Sequence, residues 1–182
     1  MRPDRIFTIG HSTRTAEDFL GLLRREGIAQ LVDVRSFPSS KRYPHFNQEQ
    51  LSAQLRAAGI GYTHMPELGG RRTPRRDSAN TVWKNSGFRG YADYMETRAF
   101  VGALDELINT AASQPTAIMC AEAVPWRCHR SLIADALTAR GVAVLHIMDG
   151  GAKPHTLTAF ARVMDGRIRY DSAAEPGLFD RS

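Results

Sequence analysis

Only two cysteines, Cys120 and Cys128, occur among the 182 residues of this chain. Two thiols cannot build the disulfide framework of a small secreted domain, and a reducing compartment would keep both free. Lysine is almost as scarce, since 21 of the 24 basic residues are Arg. No apolar run approaches the roughly 20 residues of a membrane-spanning helix, and the opening Met-Arg-Pro-Asp has no apolar signal-peptide core. These absences predict a cytoplasmic protein with no membrane partner. Internal repeats, low-complexity tracts and composition shifts that would mark a linker are also missing. One domain over residues 1–182 is therefore expected, within the usual span of roughly 100 to 200 residues.

What is present fits a globular chain: 42% hydrophobic and 24% charged residues. The net charge of +5 and a pI near 9.6 favour an anionic partner, because summed positive potential attracts anions over several ångströms. A nucleotide, a nucleic acid or a phosphorylated small molecule fits that description. The arginine excess follows equally well from genomic base composition.

Short apolar runs alternate with helical periods along the chain. Arg5 to Gly10 reads as a strand. Thr15-Ala-Glu-Asp18 resembles a capping box that opens a helix with Phe19, Leu20, Leu22 and Leu23 on its apolar face, stopped at Gly27. Gln30 to Val34 is a second strand, followed by a loop from Arg35 to Phe46 rich in Pro, Ser and basic residues. Asn47 and Gln50 can cap a helix that ends at Gly59, and Ile60 to His64 is a third strand. From about 65 to 90 no period persists, and this long basic loop carries Arg71-Arg-Thr-Pro-Arg-Arg76 followed by Trp83 and Phe88. The spacing then predicts a long helix from Tyr91 to Ala112, a strand from Ala117 into Cys120, and a helix from Trp126 to Arg140 with Pro125 at its first turn. Strands at Val142 to Ile147 and Arg167 to Tyr170 flank a short helix from about Pro154 to Val163. Strands alternating with helices predict an α/β fold: a three-layer sandwich whose mainly parallel sheet of about five strands is flanked by helices. In such a sheet the ends at Gly10-His11-Ser12, Asp33-Val-Arg35-Ser36, Cys120-Ala-Glu122 and Asp149-Gly150 converge on one rim, where open sheets bind ligands.

Each candidate on that rim has a functional and a structural reading. Cys120, at a strand end and near Arg127, His129 and Arg130, has surroundings that favour a thiolate nucleophile; free cysteine is also a common core residue. The phosphatase signature would put Arg six positions after the cysteine, where this chain has Trp126. Glu122, two residues on, can serve as general acid or base, or pair with Arg130. His11, Ser12, Arg35 and Arg130 could bind an anion, with Asp33 holding Arg35 or orienting His11; a structural ion-pair network is the alternative. Cys128 and His129 support the site. With Cys120 and His11 they also form a set that zinc prefers, but the seven residues between the cysteines exceed the two to four usual in structural zinc sites. No cofactor is predicted, and the metal set stays an alternative. Gly69 and Gly70 read as a hinge for a loop closing over substrate. The basic run, with Trp83, Phe88 and Tyr91, could track a nucleic-acid backbone while the rings stack on bases; charge runs are also ordinary solvated surface.

Thr8-Ile-Gly-His-Ser12, Asp33-Val-Arg-Ser36 with Pro38, Leu68-Gly-Gly70, Phe88-Arg-Gly-Tyr91 and Cys120-Ala-Glu with Cys128-His-Arg130 together resemble the family catalogued as domain of unknown function 488. The resemblance spans nearly the whole chain. It implies a compact α/β domain with a site around the Cys-Ala-Glu and Cys-His-Arg segments, and it brings no established reaction. The functional expectation is an enzyme, a Cys- or Glu-dependent hydrolase or transferase, acting on a phosphate-bearing substrate such as a nucleotide or nucleic acid. A non-catalytic nucleotide- or nucleic-acid-binding module and a Cys/His metal-binding protein are the competing readings.

Overall fold

A computed structural model of the protein describes residues 2–171; residues 1 and 172–182 of the expected domain lie outside the described part. Its sheet is built on three buried runs, β1 (Arg5–Gly10), β2 (Gln30–Asp33) and β4 (Thr116–Cys120), with β3 (Gly61–His64) at one edge and β5 (Ala143–Met148) on the other side. The order is β3-β2-β4-β1-β5, all parallel, and β6 (Gly151–Pro154) adds a sixth strand antiparallel to β5. Continuous burial of β2 and β4 is what a parallel sheet covered on both faces demands.

The period of two sorts side chains cleanly between the faces. Ile6, Val32, Val34, Ile118 and Cys120 pack with α3 (Ser86–Tyr94), α4 (Arg98–Ser113) and α5 (Arg130–Ala139). Phe7, Ile9, Leu31, Ala117 and Met119 pack with α1 (Ala16–Arg25) and α2 (Gln48–Ala57) on the other face. β1 thus leads into a helix on one face, and its neighbour β4 leads into a helix on the opposite face. That divergence opens a crevice between their carboxyl ends, the switch point at which such sheets bind ligands. Among the described residues no helix is long and apolar enough to cross a membrane.

Several expected elements differ. The long helix is two, because Thr97 turns its side chain to cap Phe100 N and starts α4 afresh. The helix expected from Trp126 is a single 3-10 turn at Pro125–Arg127, then an extended Cys128, then α5. Asn47 precedes α2 without capping it, since its side chain accepts from Ser40 N. The short helix at 154–163 does not form. Pro154 ends β6, residues 155–160 are irregular, and the rest enter β7 (Ala161–Met164), which makes a hairpin with β8 (Arg167–Tyr170). Asp165 and Gly166, both with positive φ, supply the tight turn that Asp-Gly favours. The N-cap half of the capping box forms, with Thr15 Oγ1 accepting from Asp18 N, while the Asp18 carboxylate accepts from the Thr15 hydroxyl.

Candidate functional site

The ends of β1, β2 and β4 open on a cleft of about 580 Å³. His11 and Ser12 leave β1, the 35–43 loop forms one wall, Gly70 and Arg71 another, and Cys120 to Ala123 with His129 form the floor. Register brings the strand ends level, with Gly10 opposite Cys120 and Asp33 opposite Met119. Asp149 leaves the same edge but spends its carboxylate on Arg14, outside the cleft. Ser12 and Arg71, both lining it, hold left-handed backbone at φ 50° and 59° without being glycine. Such strain costs on the order of 1–3 kcal/mol and concentrates at functional sites.

At the floor the extended backbone of Cys128 returns its sulfur to Cys120. His129 Nδ1 lies 3.9 Å from Cys120 Sγ and 3.6 Å from Cys128 Sγ. The other ring nitrogen, Nε2, is 3.2 Å from Val34 O, so it carries the hydrogen and leaves a lone pair on Nδ1. The ring is confined by Tyr91 at 5.1 Å and by Gly70, where a Cβ would come within 2.9 Å of Nδ1. Both thiols are buried. The hydrogen bond given to Cys128, and then burial, holds Cys120 well above the usual thiol range; the same bond, with help from His129 and Arg130, pulls Cys128 well below it. Cys120 lines the cleft and Cys128 does not. The sulfur facing substrate space is thus the one whose thiol form is favoured, which offers little to a nucleophile at Cys120.

Five residues read as substrate-binding have other commitments. Asp33 does hold Arg35, accepting from its Nε at 2.9 Å and Nη2 at 2.6 Å, and Arg35 Nη2 also donates to Phe46 O. Arg130 is 1% exposed, lies outside the cleft, and donates to Glu122 O and to Thr8 Oγ1. His11 is neutral: burial lowers it to about 4 against the opposing pull of its Ser12 bond. Its Nδ1 donates to Ser12 O and its Nε2 faces Arg35, which keeps it out of the Cys120, Cys128 and His129 cluster. Gly69 is buried behind the wall, where a Cβ would meet Ser36 Oγ at 2.5 Å. The Gly69-Gly70 pair therefore permits close packing against Ser36 and His129. Glu122 lines the cleft with an exposed side chain.

Of the free cations, Arg71 belongs to the basic run noted in the sequence and Arg42 was not singled out there. Arg42 and Arg71 line the cleft, stand over Tyr43 and Phe37 at 5.5 and 5.6 Å, and among the described residues pair with no carboxylate. Phe37 beside them is 67% exposed, a planar apolar face in a polar wall. The sequence signals were the Pro, Ser and basic character of the 35–46 loop and the basic run that opens at Arg71. Two arginines further along the same basic run are committed, Arg72 over Tyr94 at 3.6 Å and Arg75 on Glu96. Trp83, Phe88 and Tyr91, expected to stack on bases, pack against the core instead, and the Tyr91 hydroxyl donates to Leu68 O.

No match was found among curated proteins or among solved structures. A family model does match, over residues 15–137. That span holds every candidate above except His11 and Ser12, which lie just before it, and it is narrower than the whole-chain likeness of motifs. On that match the chain belongs to the family described as Domain of unknown function DUF488.

Proposed function

We propose that the protein is an enzyme that hydrolyses or transfers a group on a phosphate-bearing substrate, a nucleotide or the end of a nucleic acid, bound in this cleft. The observation that carries the reading is the pair of unpartnered guanidinium groups, Arg42 and Arg71, flanking an exposed Phe37 in a cleft whose floor holds Cys120, His129 and Glu122. Guanidinium forks suit phosphate oxygens, and a planar base can stack on the Phe37 ring. Ser39 and Ser40 add hydroxyl groups along the same wall, where Ser36 is committed to Gly70 O. Glu122 serves as general acid or base from the rim, and the Cys120, Cys128 and His129 cluster supplies the reactive centre below it.

The binding half is tested by titrating adenosine monophosphate. Binding is expected to weaken as salt rises, since the cations are exposed. The Arg42→Ala, Arg71→Ala double variant should lose at least about tenfold in affinity, because hydrogen bonds to charged groups contribute roughly 1.5–3 kcal/mol each. Affinity unchanged in the double variant would refute this binding mode.

A further inference from the structure

We propose that Cys120, Cys128 and His129 hold a zinc ion at the floor of the cleft, with a fourth coordination position open to substrate. The geometry carries this. With Nε2 donating to Val34 O, the Nδ1 lone pair of His129 faces both sulfurs, at 3.6 and 3.9 Å. Two sulfurs and one imidazole lone pair converging from three side chains are electron-pair donors in the set and at the separations that suit a zinc ion. Zinc at about 2.3 Å from sulfur and 2.0–2.1 Å from nitrogen, in a tetrahedron, separates its nitrogen and sulfur ligands by about 3.6 Å. The three donor atoms lie within 4.8 Å of one another.

The surroundings match what a ligating histidine requires. Its second nitrogen is fixed by a backbone carbonyl, and the ring is clamped between Tyr91 and the bare backbone of Gly70. The long spacing that argued against a metal loses its force, because the loop from Ala121 to Arg127 folds through a 3-10 turn and an extended residue that bring Cys128 back to Cys120. Three protein ligands with one vertex free is the pattern of catalytic zinc, which acidifies a bound water toward neutrality or polarises a phosphoryl oxygen. Cys120 and His129 both line the cleft, so the free vertex faces it, as does Glu122. That vertex's part in turnover rests on the phosphate reading above; binding of the ion does not.

Elemental analysis of the purified full chain, with cobalt(II) titration of chelator-stripped protein, tests the proposal. About one zinc per chain and a sulfur-to-cobalt charge-transfer absorption are expected. Cys128→Ser and His129→Ala should each weaken zinc binding by more than the roughly 100-fold upper range for loss of an outer-shell partner. Wild-type protein that retains no stoichiometric zinc and gives no sulfur-to-cobalt band would overturn the proposal, whatever the fate of the buried Cys128 variant. The Arg42→Ala, Arg71→Ala variant should bind zinc undiminished, which separates the two ideas. Zinc binding without adenosine monophosphate binding would refute the phosphate reading alone, and the converse would refute the metal alone.

Discussion

Gly10→Ala is expected to cost about 3 kcal/mol or more and to displace the loop that carries Glu122. A Cβ at Gly10 would sit 1.8 Å from Glu122 O, 2.7 Å from its carbonyl carbon and 2.9 Å from Arg130 Nη2. Overpacking commonly costs 1–3 kcal/mol when side chains can yield. Here the obstacle is backbone, and that backbone is held by a buried arginine which donates to the same carbonyl. Neither can move without the other. For a chain of this size each kcal/mol shifts the melting temperature by roughly 2–4 °C, so a fall of about 6–12 °C is expected. Gly21→Ala in α1 is the control: nothing lies within 4 Å of its Cβ position, and alanine should leave stability unchanged or raised by roughly 0.5–1 kcal/mol. A Gly10→Ala protein within 1 kcal/mol of wild type in urea unfolding would mean that the loop is not pinned as described.

Asp135→Ala should be comparably damaging, at about 3–5 kcal/mol, through a different cause. Asp135 on α5 is fully buried and accepts four hydrogen bonds: from His155 Nε2 at 2.8 Å, Thr158 N at 3.0 Å, Thr158 Oγ1 at 2.7 Å and the Tyr170 hydroxyl at 2.8 Å. Alanine would leave the buried Tyr170 hydroxyl and three half-buried donors unsatisfied, which costs more than the bonds themselves contribute. The bonds also form one end of an ordered chain. Arg130 Nη1 donates to Thr8 Oγ1, Thr8 to His146 Nδ1, His146 Nε2 to His155 Nδ1, and His155 to Asp135. Burial, with the neighbouring His155 and Arg130 adding to it, lowers His146 to about 4, so its ring is neutral and can pass the chain along. Asp135→Asn keeps the shape and one acceptor, so chemical unfolding should rank it between wild type and Asp135→Ala. Equal stability of all three would contradict this role.

This network explains why the sequence misleads at 154–163. A helix there would satisfy its own backbone, but Thr158 gives both its N–H and its hydroxyl to a carboxylate 23 residues away, and His155 gives its ring nitrogen to the same group. Local periodicity cannot register a partner so distant. The Asp165-Gly166 turn was the signal available for the hairpin, and it outweighs the weak apolar spacing before it. The sheet's core was legible because β1, β2 and β4 are continuous apolar runs that end at the residues carrying chemistry. Their convergence on one rim follows from parallel strands alone. Side-chain commitments within the rim were not legible. Arg130 and Arg42 look alike as letters, yet one is locked under Glu122 O while the other faces the cleft. Cys120 and Cys128 read as distant because spacing along the chain says nothing of an extended residue folding back after a 3-10 turn.

The most direct test of the account is phosphorus NMR of the full chain incubated with a panel of phosphomonoesters and phosphodiesters, nucleotides included, with the Arg42→Ala, Arg71→Ala variant alongside. The account predicts that wild type converts at least one phosphate resonance to that of a product and that the double variant slows this conversion at least about tenfold, in step with its lost binding. Binding without conversion of any member of the panel, or conversion equally fast in the double variant, would contradict it.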